Sequence, residues 1–218
     1  MDIEEKKALY KENGLRYYTK TEEILHCITH GLPILYFVGG LIWMLLRADS
    51  VRESLGVVAI SFFSLFVYVN STLYHTFTNI KLKKIWRKID HSGIPFMVLA
   101  CGAPIAIICN QSIFNYIGLG ISIAFAIAIV VLMVLSVEKF NNLSLILDFV
   151  IGAFTVAIFV LNWVAIPYIA KIYFIVGGSI SALSGVWYVF KQKYMHVIFH
   201  VLCAVGPMLC FVGVWYLI

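Results

Sequence analysis

Two pairs of histidines stand four residues apart, His26 with His30 and His196 with His200, and Ser71 and His75 repeat that spacing. On a helix, residues i and i+4 share a face, so either histidine pair can clasp one ion. Zinc takes neutral imidazole readily, and a site with three protein ligands keeps a fourth position open for water. Three histidines from two helices, with Asp90 to hold that water, make a zinc site of the hydrolytic type. Bound zinc lowers the pKa of water to about 7. Spacing alone does not choose between the two pairs. No other hydrolytic constellation is present: the chain has no GxSxG and no HExxH.

Those residues sit in an unusual chain. Of 218 residues, 62% are hydrophobic and 12% charged, with mean hydropathy +0.95. Soluble domains carry about 45–50% apolar and about 25% charged residues. A water-soluble fold of this length cannot hide so much apolar surface, which excludes a soluble enzyme, a disordered chain and a nucleic-acid binder. Cys27, Cys101, Cys109, Cys203 and Cys210 are odd in number, lie in apolar runs and show no CxxC spacing, so they read as small buried hydrophobes. The N-terminus is strongly polar and does not read as a secretory signal.

A bilayer core about 30 Å thick needs about 20 apolar residues per helix. Runs near 24–46, 54–78, 89–109, 113–136, 144–163, 168–190 and 195–217 meet that requirement. The fold class expected is all-α, a polytopic seven-transmembrane helix bundle over 23–218, preceded by a polar cytosolic segment, 1–22, with a short surface helix. Thirteen Lys and Arg, Lys191 among them, fall on the N-terminal side of the membrane and three on the other. The positive-inside rule then places the N-terminus in the cytosol and the C-terminus outside. The five tryptophans fall near span ends, as an interfacial belt requires. Gly177, Ser181 and Gly185 form a small-residue face for helix packing.

Ionisable groups inside spans are costly and mark function. All six histidines lie toward the cytosolic ends of their helices, with Asp90 opening the third span and Asp148 about a turn inside the fifth. Together with Glu22-Glu23, Thr29-His30-Gly31, Ser71-Thr72-Leu73-Tyr74-His75, Asp90-His91-Ser92-Gly93-Ile94 and His196-Val197-Ile198-Phe199-His200, the chain resembles the bacterial hemolysin III family. That family belongs to a wider group with adiponectin/progestin receptors and alkaline ceramidases. The resemblance runs from about Glu22 to the last span.

The resemblance implies one zinc ion (Zn2+) near the cytosolic face of a bacterial plasma membrane. By matching motifs His75, His196 and His200 are its ligands, which decides against His26 and His30. Asp90 holds the water, and Ser71 hydrogen-bonds around it. Glu23, His30 and Asp148 are candidates for the surrounding ring. Where members commonly carry Thr-Tyr-Thr-Pro this chain has Cys101-Gly102-Ala103-Pro104, a departure that bears on the polarity of a substrate cavity. The leading expectation is a zinc-dependent hydrolase of an amide or ester in a lipid-like substrate drawn from the membrane, with Asp90 as general base. The alternatives are a non-enzymatic membrane-homeostasis or sensor protein with structural zinc, and a cytolysin or channel as the family name suggests.

Overall fold

The computed structural model describes residues 2–109, 112–190 and 192–218; Lys191, counted among the inward-side charges, lies outside the described residues. Among these, the elements are α1 (Ile3–Glu12), α2 (Lys20–Leu45), α3 (Val51–Thr76), α4 (Ile80–His91), α5 (Ile94–Cys109), α6 (Ile113–Leu135), α7 (Val137–Leu161), α8 (Tyr168–Trp187) and α9 (Met195–Trp215). Seven stretches are long and apolar enough to cross a membrane, α4 and α5 counting together as Ile80–Cys109. The chain is an all-α, seven-span integral membrane protein.

Capping residues set several of the helix starts. Thr19 and Glu22 form a capping box at α2, while Ser50 and Ser136 accept from Glu53 and Lys139 at α3 and α7. Ser136 also closes α6, so α6 and α7 meet at one residue and α7 begins seven residues before the expected 144. Asp148 is therefore about three turns inside its helix rather than one.

The third span differs most from expectation. A turn at Ser92 and Gly93 separates α4 from α5. Pro95 disfavours helical geometry at the residue before it and supplies no backbone N–H, so it suits the first turn of a new helix. Asp90 thus lies in the last turn of α4 and does not cap the third span. Helix α4 is amphipathic, and α5, apolar on all sides, runs through the centre. Around it stand α3, α6, α7, α8 and α9. Large apolar side chains on the spans, such as Leu32, Leu35 and Val131, point outward, where lipid covers them.

Helices α8 and α9 approach most closely at Gly177 and Gly206. A Cβ on Gly177 would stand 2.6 Å from the Gly206 carbonyl oxygen, and one on Gly206 would stand 2.2 Å from Ser181 Oγ. The small-residue face of α8 therefore receives α9 through Gly177 and Ser181. Gly185 instead faces Phe149 of α7.

Pro207 lies inside α9 and cannot donate to the carbonyl of Cys203, four residues back. The buried Tyr68 hydroxyl donates to that oxygen at 3.1 Å, with Ala204 O at 3.4 Å. Tyr68→Phe should therefore lower thermal stability by about 1–3 kcal/mol, the cost of an unsatisfied buried carbonyl. A melting curve identical to wild type would show that the hydroxyl is not needed there.

Candidate metal centre

Five histidine rings meet at the end of the bundle that carries the N-terminal segment. His26 and His30 come from α2, His75 from the last turn of α3, and His196 and His200 from the first turns of α9. His30 stacks on His200 with ring centres 3.9 Å apart and planes at 11°, and His26 lies 4.1 Å from His75. The two HxxxH pairs, which spacing set against each other, share one cluster.

The start of α9 is held in place from α2. Glu22 closes its capping box through one carboxylate oxygen and accepts the Tyr194 N–H at 3.2 Å through the other. Tyr194 has φ of 63°, a left-handed conformation uncommon outside glycine. That bend starts α9 so that His196 and His200 turn inward.

Nε2 of His196 and Nε2 of His200 are 3.3 Å apart. Two nitrogens bound to one tetrahedral zinc at about 2.05 Å would stand about 3.3 Å from each other. His75 completes the group: one ligand atom from each of His75, His196 and His200 lies within 4.8 Å of the others. Glu23 Oε2 is 2.5 Å from His75 Nδ1. If Nδ1–H donates to that carboxylate, the lone pair of Nε2 is free, and Nε2 is buried with no hydrogen-bond partner. The donor set and its spacing fit a zinc ion.

Glu23, His26 and His75 form a second group of ligand atoms within 4.8 Å. Its carboxylate is already engaged, since Glu23 Oε1 accepts from Lys83 Nζ at 2.7 Å. Lys83 is almost wholly buried and also donates to the carbonyls of Tyr74 and Phe77. On the sequence Lys83 counts only as one of the thirteen inward-side Lys and Arg. The face of α4 that bears Lys83, Arg87 and Asp90 turns inward while Leu82 and Ile85 face out, and Lys83 there neutralises Glu23. Nearby, Arg87 pairs with Glu138, and Lys88 donates to Val134 O at 2.6 Å.

Ser71, Asp90, His30, His196 and His200 line a cavity of about 30 Å³. A water needs about 10–15 Å³ of such space, so the cavity has room for one. Asp90 sits beside Ser71 there. Asp148 is elsewhere: it lines a separate apolar cavity of about 370 Å³ between α5, α7 and α8. The two cavities share Ile94, Met97, Tyr188 and Phe199 as walls. Cys101, at the departure from the Thr-Tyr-Thr-Pro pattern, lines the larger one, which agrees with its apolar character.

One contributor had no signal in the sequence. Leu15 and Tyr18, in the segment after α1, are buried in the bundle. Tyr18 stacks on His196 with ring centres 5.2 Å apart and meets His26 and His75 edge-on. Burial pushes its phenol pKa well above the ordinary value, so a neutral ring covers the mouth of the cluster. Gly14, at φ +68°, makes the turn that brings the segment back over the bundle.

The sequence profile of a family described as Haemolysin-III related matches residues 18–211, from Tyr18 through α9. The chain belongs to that family. Among similar Haemolysin-III relatives is the Hemolysin-3 homolog of Bacillus subtilis (strain 168), 24% identical over 197 residues that cover 84% of this chain and 88% of the relative. Hemolysin-3 of Bacillus cereus is 24% identical over 204 residues, covering 87% and 89%. No solved structure matches the chain. The bacterial relatives and the seven apolar stretches fit an integral protein of the bacterial plasma membrane.

Proposed function

We propose that this Haemolysin-III family member is a zinc-dependent hydrolase acting on an amide or ester bond in a lipid-like substrate. The observation that carries the reading is the convergence of His75, His196 and His200 within 4.8 Å, two of which, His196 and His200, also line a water-sized cavity with Asp90 and Ser71. His75, His196 and His200 would hold the ion, and Glu23, itself neutralised by Lys83, would fix the orientation and tautomer of His75. Bound zinc would supply a lowered water pKa and polarise a carbonyl. Asp90 would hold the attacking water and accept its proton. The Ser71 hydroxyl, buried beside Asp90, would donate to the oxygen on which charge develops. The shared walls with the larger apolar cavity give a substrate chain somewhere to lie.

The test is metal content and turnover on one preparation. Purified protein should carry about one zinc per chain and cleave at least one member of a panel of lipid amides and esters, and chelation should remove both properties. A zinc-loaded protein inert across the panel would reject the hydrolase reading in favour of a structural ion. The proposal keeps the N-terminus, and so the metal centre, on the cytosolic side. A reporter active only outside the membrane should then work when fused after Ile218; activity of only a cytosolic reporter at that position would reverse the orientation.

A further inference from the structure

The larger cavity holds a feature that the metal centre does not use. Asp148, 6% exposed, lines it, and neither carboxylate oxygen has a hydrogen-bond partner among the described residues. Its other walls are overwhelmingly apolar, with Met97, Val98, Phe149, Val156 and Phe199 contributing, and no Lys or Arg lines it. An unpaired carboxylate in such surroundings is costly, and in membrane proteins such a group marks a ligand or ion path more often than packing. The volume, about 370 Å³, lies in the range of about 300–1,000 Å³ typical of small-molecule sites. Gly152 of α7 and Gly178 of α8 line it too, and a Cβ at either would meet nothing within 4 Å.

We propose that this cavity between α7 and α8 binds a single-chain amphiphile with a terminal amine, its ammonium paired with Asp148 and its alkyl chain along the apolar walls. The chemistry of the carboxylate selects that class. A carboxyl buried among apolar walls is held ionised only by a cation that neutralises it, and an ionised carboxyl offers only acceptors, so that cation must also donate. A fatty carboxylate would set like charges face to face; a fatty alcohol can donate but leaves the charge uncompensated. The inference stands on the cavity and does not require the hydrolase reading.

The experiment uses the full-length, metal-loaded protein in phosphatidylcholine nanodiscs, with binding to empty nanodiscs subtracted. Tritiated dodecylamine is the probe, and dodecylamine, dodecanol and dodecanoate are the competitors. Saturable amine binding is expected, with dodecanol competing weakly and dodecanoate not at all. Asp148→Asn should weaken dodecylamine about 10–100-fold, the loss of a hydrogen bond to a charged group, and leave dodecanol unchanged. The same variant should melt no lower than wild type, because it removes a buried carboxyl that has no hydrogen-bond partner. Gly178→Phe, which fills the cavity and leaves Asp148 in place, should abolish amine binding while zinc content is retained. Dodecanoate competing as well as the amine, or amine affinity unchanged in Asp148→Asn, would overturn the assignment of ligand class. Amine binding that survives Gly178→Phe would overturn the assignment of the cavity. Lipid-panel turnover is not read in any arm, so failure here and failure of the hydrolase proposal are separate results.

Discussion

His196→Ala and His200→Ala should each take bound zinc below stoichiometric detection, while His26→Ala leaves it near one per chain. The two α9 nitrogens stand at the separation of two ligands on one tetrahedral ion, and His75 supplies the third atom. Losing any one leaves two protein ligands, and binding weakens by more than the loss of a supporting residue would cause. That smaller effect is the expectation for Glu23→Gln, which keeps the shape beside His75 Nδ1 but removes the charge. Residues of this kind are worth about 10–100-fold in metal affinity. His26 is the informative control, because it is fully buried among the same rings and belongs to the rival group with Glu23. Metal analysis of the five proteins, purified identically, gives an ordered series: wild type and His26→Ala together, Glu23→Gln lower, the two α9 variants at background. Zinc retained by the double His196/His200 variant would remove the three-histidine site from consideration.

Much of this arrangement was legible from spacing and hydropathy, for a physical reason. Polar groups inside a bilayer are so costly that the few present are nearly all informative, and six histidines crowding one end of their helices define a region before any contact is known. The same hydropathy arithmetic located all seven spans. It failed wherever position depended on contacts between segments far apart in sequence. Lys83 is one inward-side charge among thirteen, and only the meeting of α4 with α2 shows its partner to be Glu23. Tyr18 carries no charge and no motif, yet it covers His196. The choice between His26/His30 and His196/His200 could not be made from spacing because both pairs do face the same centre. Asp90 was misplaced at a helix start because the apolar run gives no sign of the turn before Pro95.

The placement of Asp90 sharpens what its removal should do. At a helix N-terminus a carboxylate is favoured by the dipole and has a structural reason to be there. Asp90 instead ends α4, where the dipole opposes a negative charge, and it faces a cavity shared with Ser71, His196 and His200. A group held against the local field in a water-sized space has its reason in that space. Asp90→Asn keeps the side chain's shape and cannot accept a proton. Zinc content and melting temperature should therefore stay near wild type, since the three imidazoles are untouched. Turnover of a cleaved lipid amide or ester should fall by about 10²–10⁴-fold, the usual contribution of a general base. A closed structural site in which Asp90 binds the ion directly makes the opposite forecast, with zinc and thermal stability lost together. Bound zinc, melting temperature and rate, measured on wild type and Asp90→Asn side by side, separate the two. Loss of zinc in the variant would make Asp90 a ligand, and an unchanged rate with zinc retained would remove it from the chemistry.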